Sequence, residues 1–453
     1  TQTKSNVGCE FWAADMANLP PRDGYVFAVA ISNPHETLEV TVEVYDRNNG
    51  GTEQLLFSGT VAPRQVEVFN LSGNSNGQQG HYTTDAGFLG TGISLGRAFR
   101  VKTNMPVVAV QFNPLGGASG HTTDASLLLP SHTIGKDHYH LAYDQGYGDG
   151  SSLLVVGTED ATSVTLTTTV NTNAGKNGLP ALMAGVPSTV VINRYDYIQL
   201  GSGSNDLSGT RIESSAPVAV FGGHTCANVP TTSTTACDHV EEQIFPLHTW
   251  GKSYLAARNP PRGQEDMVWR LVGSVDGTQL SFDPPSATLG PSATIQAGQV
   301  IQFAEQHDFH VTADQPVLLA GYMVGCSAVQ GGQGCPGDPY MTLMIPDEQF
   351  LSDYVFLVDQ SYDQDFAKLI RPKGAQIELS CLGVVPDERW TAVGASGYEV
   401  AVIDMNPGEG NCAPGTNEAT SNEPFGILVS GQASAASYGY PGGLALKEIN
   451  VPK

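Results

Sequence analysis

The chain has 453 residues, a formal net charge of −24 and a sequence pI near 4.6, and only 21 of its residues are lysine or arginine. Binding to nucleic acid or to an anionic membrane requires clustered cations, so this composition excludes both as partners. The sequence has no run of about 18 apolar residues, and we therefore predict no transmembrane segment.

Each quarter of the chain begins with a short aromatic strand, followed by two strands predicted to pair as a hairpin. The aromatic strands read Phe11-Trp-Ala-Ala, Tyr139-His-Leu-Ala-Tyr, Tyr254-Leu-Ala-Ala and Tyr354-Val-Phe-Leu-Val. The predicted hairpins are Tyr25–Ser32 with Leu38–Tyr45, Ser152–Gly157 with Ser163–Thr168, Met267–Gly273 with Thr278–Phe282, and Phe366–Arg371 with Ala375–Leu382. Turn residues such as Asn33-Pro34 and Asp276-Gly277 separate the members of each pair.

A proline that leads into an apolar strand then recurs four times. The copies read Thr103-Asn-Met-Pro106-Val-Val-Ala-Val, Ser215-Ala-Pro217-Val-Ala-Val, Asp314-Gln-Pro316-Val-Leu-Leu-Ala and Asn422-Glu-Pro424-Phe-Gly-Ile-Leu-Val. The prolines lie 111, 99 and 108 residues apart, which makes the repeat domain-sized. In the first three copies an aspartate and an apolar stretch ending in proline follow, at Asp124–Pro130, Asp238–Pro246 and Asp338–Pro346.

The repeat predicts an all-β fold of four tandem β-sandwich modules of about 110 residues, with edges at 8–135, 136–251, 252–351 and 352–453. Apolar and polar residues alternate along Leu38–Tyr45, as in a strand with one buried face. The 52 glycines and 28 prolines interrupt the chain too often for long helices. A propeller is the alternative, although its blades usually have only about 40 to 50 residues.

Six of the seven cysteines can be paired in the last three modules. Cys226 and Cys237 bracket one loop, and Cys326 and Cys335 bracket the corresponding loop of the next module, which predicts a repeated disulfide clip. Cys381 and Cys412 form a third candidate pair, and Cys9 remains odd. Zinc is the competing interpretation at the first loop, because His224 and His239 flank its cysteines, but the second loop has no such histidines.

The connection after each aromatic strand is acidic, and this pattern suggests calcium. Calcium prefers six to eight oxygen ligands from flexible carboxylate loops. The candidate ligands are Asp144, Asp149, Asp359, Asp363 and Asp365. The alternative interpretation is an acidic surface loop on an acidic protein.

Motifs for catalysis are weak. Trp250-Gly-Lys-Ser253 has Pro246 where a phosphate-binding loop needs glycine. The adjacent carboxylates Glu241 and Glu242 are expected to point to opposite faces of a strand, as solvated charges would, and not to share an acid/base role. We therefore predict a protein that is not an enzyme.

Several segments resemble the N-terminal domain of the IgG Fc-binding protein family. They are Ala216-Pro-Val-Ala-Val-Phe-Gly-Gly-His-Thr-Cys226, Cys237-Asp-His-Val-Glu-Glu-Gln243, Trp250-Gly-Lys252, Asp338-Pro-Tyr-Met-Thr-Leu343, Glu348-Gln-Phe350 and Ser437-Tyr-Gly-Tyr-Pro-Gly-Gly443. The resemblance covers modules two to four better than module one. The resemblance implies a secreted, disulfide-containing β-protein that functions in binding or adhesion. The acidity of the chain suggests a free-standing bacterial-type member of the family.

These observations together predict a secreted or cell-surface recognition and adhesion protein, with a protein or glycan ligand. The alternative is a structural subunit that self-associates into an extracellular fibre or sheath, since open strand edges can accept a strand from a neighbour. The end segments Thr1–Gly8 and Leu444–Lys453 lie outside the repeats and are candidate donor strands.

Overall fold

The computed structural model describes residues 5–18, 26–72, 74–75, 78–79, 90–116, 122–329, 335–406 and 408–450. Within these ranges the chain forms β-strands and no α-helix, so the all-β prediction is confirmed. Single 3-10 turns lie at Asn48–Gly50, Leu247–Thr249, Cys326–Ala328, Asp347–Gln349 and Asp387–Arg389. None of the described helical turns is long and apolar enough to cross a membrane.

The strands fall into four successive stretches, called units 1 to 4. Unit 1 contains β1 (Gly8–Ala13), β2 (Val26–Ser32), β3 (Val40–Asp46), β4 (Gln54–Val61), β5 (Val66–Asn70), β6 (Asn74–Ser75), β7 (Gln78–Gln79), β8 (Gly92–Ser94), β9 (Phe99–Leu115) and β10 (Asp124–Leu127). Unit 2 contains β11 (Asp137–Tyr139), β12 (Gly146–Gly157), β13 (Thr162–Thr167), β14 (Ser188–Ile192), β15 (Tyr197–Gly201), β16 (Arg211–Ser214), β17 (Val218–Ala227) and β18 (Asp238–Gln243).

Units 3 and 4 continue the series. Unit 3 contains β19 (Ser253–Ala256), β20 (Met267–Gly273), β21 (Thr278–Ser286), β22 (Gly290–Ile295), β23 (Val300–Glu305), β24 (Phe309–Ala313), β25 (Val317–Met323) and β26 (Met341–Leu343). Unit 4 contains β27 (Leu351–Val358), β28 (Gln364–Pro372), β29 (Ile377–Leu379), β30 (Gly383–Val384), β31 (Thr391–Ala392), β32 (Tyr398–Asn406), β33 (Gly415–Ala433) and β34 (Ala436–Pro441).

The four units share one strand order. Units 2 and 3 each pair their strands as two antiparallel sheets, β11-β16-β13-β14 with β18-β17-β12-β15, and β19-β24-β21-β22 with β26-β25-β20-β23. Units 1 and 4 have the same order, except that the long strands β9 and β33 take part in both sheets. Strand β8 of unit 1 extends a sheet of unit 2 by pairing with β15. The division into four independent sandwich modules at the edges given above stays a prediction, because strand pairing does not test whether each unit folds alone.

The recurring proline marks the point where the chain passes from one sheet to the other. Pro217 and Pro316 lie in the breaks between β16 and β17 and between β24 and β25. In β9, Pro106 lies between Thr103, which pairs with β3, and Val108, which pairs with β2. Proline has no N–H to donate to a ladder, so it fits a position where one ladder has ended and the next has not begun.

The predicted hairpins are wrong, although their strands are present. Strand β2 pairs with β5 and β9, and β3 pairs with β4 and β9, so the two lie in different sheets. The corresponding strands of the other units are separated in the same way. The reason is that β2 is buried along its whole length, so packing between sheets, and not the short turn, decides its neighbours.

The last strands of the units, β10, β18, β26 and β34, meet at the centre of the molecule and are called the closing strands. Each contacts the next, and β34 contacts β10, so the units form a ring. The ring is also closed by Asn6 and Leu444, which exchange two hydrogen bonds of 3.1 Å. The described parts of the two end segments are thus bonded to each other within the chain.

Candidate recognition face and its central hub

A single buried carboxylate joins all four closing strands. Asp124 at the start of β10 has no solvent exposure. Its oxygens accept hydrogen bonds from the backbone N–H groups of Ala125 (2.9 Å), Glu241 (3.0 Å), Met341 (3.0 Å) and Gly439 (3.2 Å). One donor comes from each unit, and four donors fill the lone-pair capacity of a carboxylate. We call Asp124 and its four donors the hub.

Further buried carboxylates surround the hub. Glu242 accepts the N–H of Leu343 (3.2 Å) and the hydroxyl of Ser126 (3.1 Å), and Asp238 accepts the N–H of Thr123. Burial raises the pKa of the carboxyl groups of Asp124, Asp238 and Glu242 well above their ordinary values. These groups hold backbone of one unit against backbone of another, and they fix the relative positions of the units.

The prediction that Glu241 and Glu242 are solvated is wrong. Both side chains are buried, because β18 pairs with β17 along one edge and packs against the other closing strands. Glu241 accepts hydrogen bonds from Gln111 (2.9 Å) and Asn113 (3.3 Å) of unit 1. Strand alternation correctly puts the two side chains on opposite faces, but in this strand neither face reaches water.

The loops at one end of the units gather on a common surface, the loop face. In each unit the start of the second strand pairs with the end of the strand before the closing strand, as in Gly146 with Ala227 and Gln364 with Gln432. The loop face therefore contains the acidic connections 141–145, 257–266 and 359–363 of units 2 to 4 and the loops before their closing strands, 228–237, 324–329 with 335–340, and 434–435. The corresponding described segments of unit 1, 14–18 and 122–123, are buried. Loops held by a rigid scaffold are where binding residues concentrate.

Two disulfides close adjacent loops on this face. The structure joins Cys226 to Cys237 and Cys326 to Cys335, and a third bond joins Cys381 to Cys412. The first two loops are bonded to each other, since the N–H of Ser327 donates to the carbonyl of Thr235 at 2.6 Å. Cys9 is free and half-buried.

The histidines beside the first clip have other partners than zinc. Nδ1 of His224 accepts the N–H of Cys226 at 2.9 Å, and Nε2 of His239 lies 3.3 Å from the Glu241 carboxylate. The sulfurs of Cys226 and Cys237 are bonded to each other and are not available as thiolate ligands. Among the described residues, the ligand atoms of Cys326, Cys335 and Asp338 lie within 4.8 Å of one another, and two of these three are likewise the sulfurs of a disulfide.

The candidate calcium ligands are divided between two connections. In unit 4, Asp359 is buried and accepts the N–H of Ser361 at 2.7 Å, Asp365 is buried, and Asp363 is exposed. In unit 2, Asp144 is half-buried and accepts a hydrogen bond from Gln145 (2.8 Å), while the side chain of Asp149 lies outside the described part of the chain. Calcium at either connection stays a prediction. If calcium binds in unit 4, calcium chloride should raise the melting temperature of the wild type, and Asp363→Asn should abolish this rise. A melting temperature that calcium chloride leaves unchanged would contradict the calcium hypothesis.

Arg262 organises the loop face, although sequence reasoning did not single it out. Its side chain is almost fully buried and donates to the carbonyls of Val324 (2.7 Å), Pro336 (2.9 Å) and Gly337 (3.1 Å). It thereby ties the acidic connection of unit 3 to both sides of the Cys326–Cys335 clip. No sequence signal marks this role, because the carbonyl acceptors are backbone atoms.

Two clefts lie between unit 4 and its neighbours. One of about 420 Å³ opens on the loop face and is lined by Cys335, Pro336, Asp363, Gln364, Gln432, Ala433 and Ser434. The other, of about 300 Å³, lies against unit 1 and is lined by Arg64, Gln65, Val66, Val68, Leu357, Val358, Asp359, Gln360, Pro414, Gly415 and Thr416. Clefts between packed units are common places for ligands.

The Asp365 carboxyl is expected to make stability depend on pH. It accepts hydrogen bonds from the Tyr438 hydroxyl (2.8 Å) and the Asn406 amide (3.3 Å), and burial raises its pKa to about 7. The folded chain holds this proton more tightly than the unfolded chain. The stabilisation of the folded state by protonated Asp365 is therefore complete below the ordinary carboxyl pKa of about 4. It is lost as the pH rises through about 7.

The measurement compares the free energy of unfolding of the wild type and Asp365→Asn between pH 5 and pH 8. Between pH 8 and pH 5 the free energy of unfolding of the wild type should rise by roughly 2–4 kcal/mol more than that of the variant. Effects of net charge are common to both proteins and cancel in the difference. Parallel pH profiles would contradict this assignment.

Loss of a loop-face clip is expected to destabilise the protein modestly. The Cys326–Cys335 bond closes a sequence separation of 9, and replacing both residues with serine should lower the free energy of unfolding by roughly 2–3 kcal/mol. Cys9→Ser is the matched control and should cost less than about 1 kcal/mol, because Cys9 has no disulfide. Denaturant titration without reductant measures both, and equal losses would show that the clip contributes nothing.

The fold and the loop face define an all-β, disulfide-containing protein that presents clipped loops from a closed ring of sheets. A family model described as IgGFc binding protein matches residues 124–431, more than half of the chain, and the chain belongs to this family. The matched region begins at the hub residue Asp124 and includes both loop-face clips.

The human IgGFc-binding protein is similar to most of this chain. The two are 28% identical over 331 residues, which are 71% of this chain and 6% of the human protein. The chain thus corresponds to a small part of that relative's length. No solved structure matches the chain.

Proposed function

We propose that this chain is a secreted or cell-surface recognition protein without enzymatic activity, and that its loop face binds the ligand. The observation that carries the proposal is that the clipped loops of units 2 and 3 lie side by side on one face and that the hub joins the strands that follow them. The disulfides suit an oxidising, extracellular compartment. Membership of a binding family supports recognition, and the buried carboxylates of the hub and its surroundings accept hydrogen bonds that hold one unit against another.

The ligand is proposed to be a protein, with the Fc fragment of IgG as the first candidate. The human relative is named for Fc binding, and that name is the support for testing Fc here. The net charge of −24 favours association with a basic surface and makes the association rate sensitive to salt. The same acidity is the support for the further proposal of a bacterial-type member.

Biolayer interferometry with immobilised human Fc, and with Fab as the negative control, tests this proposal. Thr232 is exposed in the first clip loop, and Ser292 is exposed on the outer strand β22. Thr232→Arg should weaken Fc binding at least tenfold, and the matched substitution Ser292→Arg should leave it unchanged. Equal binding to Fc and Fab would remove Fc as the partner, and binding that ignores Thr232→Arg would move the site away from the loop face.

Self-association is the second candidate, and an apolar patch on unit 2 favours it. Met183, Val186 and Val191 are exposed, and Val191 lies on β14 at the edge of its sheet. An exposed apolar edge can pair with another chain. Light scattering after size exclusion should show assemblies larger than 47.7 kDa that Val191→Lys reduces to monomer; a monomeric wild type would exclude the fibre.

A further inference from the structure

The 420 Å³ cleft on the loop face has walls of fixed geometry. One wall belongs to unit 3 and contains Cys335 and Pro336, and the other belongs to unit 4. The N–H of Ala435 donates to the carbonyl of Cys335 (2.8 Å), and the N–H of Gly337 donates to the carbonyl of Ala433 (2.7 Å). Its volume is within the range of small-molecule sites. The cleft therefore lies beside a hydrogen-bonded contact between units 3 and 4.

The cleft offers a mixture of hydrogen-bond donors and acceptors. The Gln432 amide donates to Oε1 of Gln364 at 2.7 Å, which leaves Oε1 of Gln432 as an acceptor and Nε2 of Gln364 as a donor for a ligand. Asp363 adds an exposed carboxylate, and the Ser434 hydroxyl can both donate and accept. None of the described residues that line the cleft is a lysine or an arginine.

This chemistry discriminates between classes of ligand. Phosphate, sulfate and sialic acid carry a negative charge, and none of the described lining residues is a cation that would offset repulsion by Asp363. A lysine or arginine side chain could donate to Asp363 but offers no acceptor to Nε2 of Gln364. Sugar hydroxyls both donate and accept, so they satisfy every group.

We propose that this cleft binds a short neutral saccharide, through Asp363, Gln364 and Gln432. The inference rests on the proposed recognition function and adds a second ligand class at a defined place on the loop face. In a glycoprotein ligand, the cleft would hold a neutral glycan while the surrounding loops contact protein.

The test is a glycan array that carries galactose-, mannose- and N-acetylglucosamine-terminated neutral oligosaccharides beside their sialylated and sulfated forms, followed by calorimetry with the best neutral binder. Wild type should bind a neutral oligosaccharide. Asp363→Asn and Gln432→Ala should each weaken that binding at least tenfold. Glu388→Gln, an exposed carboxylate of the same unit outside the cleft, is the matched control and should bind like wild type.

The inference is overturned if no neutral oligosaccharide binds, if a sialylated form binds more tightly, or if Asp363→Asn and Gln432→Ala bind like wild type. Melting curves of the three variants verify that they are folded. Enzymatically deglycosylated Fc separates this inference from the proposed function. Binding to deglycosylated Fc with a negative array would retain protein recognition and remove the saccharide site.

Discussion

Replacing Asp124 with alanine is expected to lower the free energy of unfolding by at least about 4 kcal/mol. The substitution leaves four buried N–H groups, one from each closing strand, without their acceptor. Each buried donor left unsatisfied costs about 1–3 kcal/mol, and the missing side chain adds a cavity. Because the donors come from all four units, the loss affects the closure of the whole ring and not one loop.

The Asp124 experiment has two comparisons. Asp124→Asn keeps the volume and one carbonyl oxygen but turns an amide N–H₂ toward two of the donors, so it should lose about half as much stability. Asp363→Asn makes the same chemical change at an exposed position and should cost less than about 0.5 kcal/mol. Denaturant titration or calorimetry measures all three. A loss below about 1 kcal/mol for Asp124→Ala would show that the hub is not needed for closure.

Arg270→Ala is expected to destabilise the contact between units 2 and 3 by about 3–5 kcal/mol. The Arg270 side chain is 5% exposed; it donates to the Asp206 carboxylate, the Ala142 carbonyl and the Ser208 hydroxyl, and it lies 5.6 Å from the centre of the Tyr143 ring. Burial is the largest influence and raises the pKa of Asp206, but the Arg270 charge and the hydrogen bonds from Arg270 and Ser208 together outweigh it, and the pKa falls below its ordinary value.

The lowered pKa of Asp206 gives the Arg270 experiment a signature beyond stability. The stabilisation by the Arg270–Asp206 ion pair is present above the ordinary carboxyl pKa. It is lost as the pH falls through the lowered pKa of Asp206 in the folded state. Arg270→Ala should therefore remove part of the wild type's acid sensitivity, measured as unfolding free energy between pH 5 and pH 2.5. Arg389→Ala breaks an exposed pair with Glu409 and should cost less than about 1 kcal/mol. Equal losses in the two variants would contradict the role of Arg270.

The sequence indicated which residues form the strands around the recurring proline and the closing strands, but not how these strands are arranged. The recurring proline located the passage between sheets, because a residue without an N–H is restricted to such places. The recurring aspartates drew attention to the start of the closing strands, yet nothing local showed that Asp124 would accept hydrogen bonds from strands up to 315 residues away. Such partners are fixed by the ring and not by neighbours in sequence.

The errors have a common physical origin. Alternation and turn residues report local geometry, so the hairpin prediction assigned β2 to the adjacent β3, whereas burial on both faces placed β2 between β5 and β9. Glu241 and Glu242 were predicted to be solvated because charge normally lies at the surface. Their strand instead lies at the centre, where backbone and side-chain donors of other units compensate for lost water.

By itself, the sequence determined the all-β class, the acidic surface, the four-fold recurrence of one strand pattern and the local spacing of the cysteines, because each depends on composition or on residues close together in the chain. Only the tertiary structure decided the ring, the hub, the loop face and the cleft between units 3 and 4. These features join residues from different units. They depend on buried hydrogen bonds, whose donors and acceptors meet only after the four closing strands have packed together.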